Sequence, residues 1–201
     1  MRRPARMHVT KLDAGKSQLA TAIRLYFEDC DPVSVHTLVM AANEIIERLC
    51  ESEGTPAIRN SFLAMIIPEW RRKFGRHLNK ARNFFKHASD PDEVLEDFSD
   101  EQNLVGIVMA VHGLLLLGVD MLEARLFTAW VRLVEPELFL DPLPRDLIGT
   151  YDATFDPDYF RNLSRAEQKQ SGLAALHRAP MGAFPDVSSF GAAKNPFQPS
   201  E

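Results

Sequence analysis

Arginine, asparagine, lysine and histidine crowd together in the stretch Pro68 to His87, which reads PEWRRKFGRHLNKARNFFKH. An arginine fork grips phosphate oxygens. A histidine gives and takes protons near neutral pH. An asparagine orients an imidazole or a substrate through hydrogen bonds. Arg82, Asn83 and His87 supply all three within one short segment. Together they are the minimum for cleaving RNA without a metal. The histidine would activate the ribose 2′-hydroxyl or protonate the leaving oxygen, and the arginine would hold the phosphate and stabilise charge as it develops.

The surroundings of these residues are basic. Arg71, Arg72, Lys73, Arg76, Lys80, Arg82 and Lys86 stand against one acid, Glu69, a local charge of +6 in a chain of net charge −5. A basic segment in an acidic protein points to an anionic partner. On a helix at about 100° per residue, with Arg82 at 0°, the residues Gly75, Lys86, Asn79, Arg72, Asn83, Arg76 and His87 fall between about 0° and 140°. Trp70, Phe74, His77, Leu78, Ala81, Phe85 and Ala88 fall between about 220° and 320°, with Phe84 near 200°. One face is therefore expected to dock on the protein, and the other to display Arg82, Asn83 and His87 for chemistry, with Lys86, Asn79, Arg76 and Arg72 steering a backbone. Arg82 and His87 lie about 140° apart on that wheel, which favours a site completed by a second subunit.

The elements that must position this segment are helical nearly throughout. Apolar spacing predicts helices over about 11–29, 32–50, 57–67, 68–88, 101–118 and 121–134. Asp31 can cap the second, with Pro32 fitting its first turn. Ser99 followed by Gln102 has the form of a capping box for the fifth. After Pro136 the pattern weakens. Pro142, Pro144, Gly149 and Pro157 interrupt it, and residues 156–176 have room for one or two further short helices. From Arg178 onward the chain is rich in Pro, Gly, Ala and Ser, the composition of a disordered tail or docking arm. The expected organisation is a flexible N-terminus over 1–10, a helical bundle over 11–135, an irregular or short-helix extension over 136–177 and a tail over 178–201. The fold class is all-α, a bundle of about five or six helices with an irregular C-terminal extension.

Length and composition set the limits on function. The chain has 201 residues, 45% apolar and 25% charged, enough to bury a core without disulfides or a structural metal. Its only cysteines, Cys30 and Cys50, form neither a disulfide framework nor a zinc-binding pair. The basic N-terminus is followed by no apolar segment of secretory length. The most apolar run, Leu104 to Val119, falls short of the about 20 residues that span a bilayer and reads as a buried core helix. The expected location is the cytoplasm, with no membrane partner. Ala14-Gly15-Lys16-Ser17 resembles the end of a phosphate-binding loop, but Thr10 stands where the first Gly is needed and no strand precedes it, so it reads as a surface turn of the first helix. His36 reads as partly buried and His112 as a hydrogen-bonded core histidine. The acidic stretch from Asp90 to Glu101 lacks the Gly and terminal Glu of a calcium loop and reads as solvated. No metal and no cofactor is expected.

Arg82-Asn83-Phe84-Phe85-Lys86-His87 resembles the signature of the HEPN superfamily: an Arg followed by a polar residue, commonly Asn, with a His four to six residues after the Arg, late on a long helix of an all-α bundle. Arg72 and His77 repeat the spacing, but Lys73 follows Arg72, and His77 falls on the apolar face. The resemblance covers about residues 11–135. It implies a HEPN-like domain that dimerises so that two motifs face one cleft. It also implies metal-independent endoribonuclease activity on RNA, in toxin–antitoxin, phage-defence or RNA-processing settings, with an antitoxin or other protein as a further partner. Carried over, Arg82 and His87 would be catalytic and Asn83 supporting. The alternative is a non-catalytic interaction module that uses the basic helix 68–88 to bind nucleic acid or an acidic protein. Self-association alone is a third possibility.

Overall fold

A computed structural model of the chain describes residues 7–55, 57–66, 68, 80–86, 92–136, 139 and 157–178. Among the described residues there are eight helices and no β-strand beyond an isolated bridge between Ile66 and Phe139. The fold is all-α. The helices are α1 (Lys11–Phe27), α2 (Pro32–Ser52), α3 (Ile58–Met65), α4 (80–86), α5 (Asp100–Leu116), α6 (Leu122–Val134), α7 (Pro157–Asn162) and α8 (Arg165–Arg178). Six match the periodic segments up to Val134, and α7 and α8 occupy the stretch with room for short helices.

Local chemistry sets most of the boundaries. Thr10 and Asp13 form a reciprocal box at the start of α1. The Asp13 N–H donates to Thr10 Oγ1 (3.1 Å), and the Thr10 N–H donates to Asp13 Oδ2 (3.0 Å). After α1 the chain reverses through Asp29, which takes a left-handed φ of 57°. Asp31 then caps α2 by accepting from the Ser34 N–H at 2.9 Å, with Pro32 in the first turn. The expected box at α5 does not form. Ser99 is the N-cap residue but its side chain makes no capping bond, and Gln102, which is buried, donates from Nε2 to the Asp97 carbonyl at 2.8 Å instead. Asp100 and Glu101 supply the negative charge that the first turn of α5 favours.

The core is a layered arrangement of α1, α2 and α5, closed by α3, α6 and α8. Helices α2 and α5 approach closely at two glycines. A Cβ on Gly106 would lie 2.6 Å from a Val39 methyl, and one on Gly113 would lie 2.5 Å from an Ile46 methyl. These two glycines stand two turns apart on one face of α5, so both let the backbones approach. Asn43 Nδ2 then donates to the Gly106 carbonyl at 2.8 Å. The apolar run of α5 is a buried core helix, and no helix among the described residues is long and apolar enough to cross a membrane. Gly15, expected on a surface turn, is buried inside α1 against Ile45 and Ile46. An amide inside a helix is spent on the helix ladder and cannot join a loop that cradles a phosphate, so the phosphate-loop reading fails.

A second part of the core is built around Tyr26, Phe27, Phe127 and Trp130, whose ring centroids lie 5.2–6.1 Å apart. Helix α8 packs on this cluster. The Trp130 indole N–H donates to the Gln168 carbonyl at 2.7 Å, and Gly172 faces the Phe27 ring. Phe160 of α7 joins the same core.

Candidate functional site

Helix α4 docks on the bundle by the face that the helical wheel assigns to docking. Ala81 is buried, and Phe84 and Phe85 are half-buried. The Phe85 ring meets the rings of His36 and Phe98 edge-on, with centroids 5.4 and 4.9 Å away. That contact fixes the rotation of α4 and places Arg82 and Lys86, one turn apart, along its junction with α2.

There the structure departs from an open display of cations. Arg82 Nη2 donates to Glu44 Oε2 at 3.2 Å, and Lys86 Nζ donates to the same oxygen at 2.9 Å. One carboxylate oxygen thus receives two cations. The side chains are 32% (Arg82), 50% (Lys86) and 46% (Glu44) exposed, so the cluster sits at the solvent boundary. Lys86 and then Arg82 hold the Glu44 carboxyl below the usual carboxylate range. Taken alone, the three side chains carry a net charge of +1. Asn83 is exposed on the neighbouring side of α4. Of the other residues of the expected site, His87, Asn79, Arg76 and Arg72 lie outside the described residues. The structure therefore brings Arg82 and Lys86 together and adds Glu44, which sequence reasoning did not single out. The available signal was weak: an acid on the flank of the apolar stripe of α2.

Beneath α4 lies a second polar arrangement. His36 is fully buried, deeper than its sequence suggested, and its Nδ1 is 3.0 Å from Asn103 Oδ1. Asn103 spends its Nδ2 hydrogens on the Pro32 carbonyl (2.9 Å) and Asp100 Oδ1 (3.1 Å), which leaves Oδ1 as the acceptor and puts the proton on His36 Nδ1. His36 Nε2 is buried and has no hydrogen-bond partner among the described residues. Burial is the main cause that lowers the pKa of His36, partly countered by the Asn103 bond. The ring is therefore neutral at physiological pH and serves as a packing surface for Phe85 and Phe98.

His112 is the hydrogen-bonded core histidine its position in the apolar run implied. Its Nε2 is 2.7 Å from Ser61 Oγ of α3, and burial pushes its pKa down to about 4. No set of three or more His, Cys, Asp or Glu side chains among the described residues could hold a metal ion. Cys50 is buried with its thiol pKa raised by burial, and Cys30 is exposed.

Chemically, the α4 edge can bind an oxyanion. Two donors of different shape, a guanidinium and an ammonium, converge on one oxygen at the solvent boundary. Comparison with protein-family models, with curated proteins and with solved structures found no match for the chain.

Proposed function

We propose that this protein is a HEPN-like helical module that binds the phosphate backbone of RNA along the exposed edge of its basic helix. The observation that carries this reading is the convergence of Arg82 and Lys86 on a single carboxylate oxygen of Glu44. A carboxylate oxygen and a phosphate oxygen make the same demand on a donor pair: charge, and N–H groups about 2.7–3.2 Å away. An arrangement that already satisfies one can satisfy the other. The basic stretch around it, +6 over Pro68 to His87, adds the long-range attraction that a polyanion feels.

A second reading adds chemistry to the same edge. Asn83 is exposed directly beside Arg82, as the HEPN-like motif Arg82-Asn83-x-x-x-His87 requires of a supporting polar residue. In that reading Arg82 holds the scissile phosphate and His87 moves a proton to or from a ribose or leaving oxygen, in a homodimer that joins two motifs. No metal takes part. Both readings place the chain in the cytoplasm, with RNA as ligand or substrate and a second copy, an antitoxin or another protein as partner.

One experiment tests both. Binding of a labelled oligouridine to the full-length protein is measured at low salt in excess chelator, and the products are then resolved. The proposal expects binding that the double variant Arg82→Ala/Lys86→Ala loses while keeping its helical content. Cleavage to cyclic or 3′-phosphate ends, abolished by His87→Ala, would establish the second reading over simple binding. Absence of binding by the unaltered protein would overturn both, and binding of an acidic peptide in its place would identify a protein partner instead.

A further inference from the structure

The Arg82–Lys86 fork is not vacant, because Glu44 fills it. We propose that Glu44 is a built-in competitor for the phosphate site: its carboxylate occupies the fork in the resting protein and is displaced when an RNA phosphate binds. The inference rests on the phosphate-binding reading above and adds to it how that site is regulated.

Four features of the cluster support exchange. First, the two cations address one and the same atom, Glu44 Oε2, at 3.2 and 2.9 Å, so a single incoming oxygen can replace it without rearranging either donor. Second, Glu44 is 46% exposed, so its side chain can swing into water and be solvated there. Third, the fold does not need the contact. Helix α4 is anchored by buried Ala81 and by Phe85 against His36 and Phe98, whereas ion pairs this exposed contribute little to stability. Fourth, one carboxylate cannot neutralise two cations. The residual positive charge still draws a polyanion in, while the carboxylate screens the fork from weaker anions. Lys86 and Arg82 also lower the pKa of Glu44, so its carboxylate holds the fork to a lower pH than an unpaired carboxylate would.

The salt dependence of binding reads this exchange. Where a phosphate replaces a carboxylate one for one, the fork gives little net release of counterions. With Glu44 neutralised, the fork engages the backbone as free cations do. The slope of log K against log salt should then steepen by about 0.7 for each further phosphate neutralised on a single strand.

The test is anisotropy of a labelled oligouridine over a salt series, using the full-length protein, Glu44→Gln, Arg82→Ala/Lys86→Ala, and the triple variant. Asp97→Asn is the control for charge alone, since Asp97 lies 3.9 Å from Lys80 of the same helix but does not touch the fork. Glu44→Gln is expected to bind about five-fold tighter at low salt, the scale of one like charge removed at about 4 Å in water, with the steeper slope. The gain should vanish in the triple variant and exceed that of Asp97→Asn. An equal gain in the triple variant or in Asp97→Asn would overturn the competitor role by showing a general charge effect. So would unchanged or weaker binding by Glu44→Gln, which leaves the phosphate-binding reading intact if the double variant still loses affinity. Failure of both the unaltered protein and Glu44→Gln to bind would overturn the two together.

Discussion

Two clusters in this molecule mirror each other. Where α8 meets the α1–α2 turn and the start of α5, one cation is held by two carboxylates: Lys169 of α8 bonds to Asp29 in the α1–α2 turn and to Asp100 in the first turn of α5. At the α4 edge, one carboxylate is held by two cations. The stoichiometry is inverted, and so is the setting. The Lys169 side chain is 5% exposed and its ammonium lies 4.3 Å from the Tyr26 ring centroid, although its carboxylates reach solvent (Asp29 66%, Asp100 35%), whereas every member of the α4 cluster, cations included, is about a third exposed or more. Burial decides what such a cluster is for. A charge taken out of water must keep its partners, so Lys169 ties three elements together. A charge left in water can trade partners, so the Glu44 cluster is free to serve a ligand.

The comparison is broken most directly at Lys169. Lys169→Ala leaves two carboxylates facing each other beside the aromatic cluster and removes the cation over Tyr26. We expect a loss of about 3 kcal/mol, near the lower end for breaking a buried pair because Asp29 and Asp100 keep some access to water. Urea unfolding at neutral pH measures it. A loss below about 1 kcal/mol would place this cluster in the same class as the exposed one.

The next effect adds a pH axis. His112 has a folded pKa of about 4, below its unfolded value of about 6.5. A depressed histidine pKa contributes stability that is complete above the unfolded value and is lost as pH falls through the window from about 6.5 to about 4. At pH 5 this amounts to about 2 kcal/mol, and His36 acts in the same direction. Lys86 and Arg82 lower the pKa of Glu44 below the ordinary carboxylate range, so on acidification the core should weaken before the α4 cluster does. Unfolding at pH 7 and pH 5 reads the first half. An imidazole NMR titration in which His112 is already protonated near pH 6 would overturn the assignment.

The two regions also differ in how much of them could be read from sequence. Period and punctuation place α1 to α6 because each buries apolar residues at helical spacing, and Asp31-Pro32 marks a start that the structure keeps. Helix α8 was nearly invisible for a physical reason: the residues it buries are Gln168, Lys169 and Gly172, none of which registers as an apolar stripe. Its anchors are an indole bond to a carbonyl, an ion cluster and a ring packed on a glycine. The α4 site was legible in its cations, since Arg82, Asn83 and Lys86 share a helix and their spacing fixes their directions. It was not legible in its counter-ion. Glu44 lies 38 and 42 residues away on another helix, and no local rule pairs residues at that distance. The Ser99–Gln102 box does not form: the Gln102 side chain is buried and oriented by its Nε2 bond to the Asp97 carbonyl, and its Oε1, the acceptor such a box needs, does not reach the Ser99 N–H.

A smaller effect probes the packing that backs the Lys169 cluster. Gly172→Ala would put a Cβ 2.5 Å from the Phe27 ring, inside an aromatic cluster that cannot yield as a flexible chain end would. Overpacking costs about 1–3 kcal/mol, against a helix-propensity gain of up to about 1 kcal/mol. The net expectation is a loss of about 1 kcal/mol, read as a lower denaturant midpoint with an unchanged slope. A gain in stability would mean that α8 can slide away from Phe27.

The smallest expected effect is the sharpest test of the contrast. Glu44→Gln removes both ion pairs of the α4 cluster, yet stability should change by less than about 0.5 kcal/mol, because exposed pairs give back to solvation nearly what they gain in attraction. Lys169→Met, which likewise removes one charged group shared by two partners but keeps the apolar stem, should cost several times more. Denaturant midpoints of the two variants, measured side by side, decide it. If Glu44→Gln costs as much as Lys169→Met, the carboxylate is a structural brace for α4, and exposure is a poor guide to which charges this fold can release to a ligand.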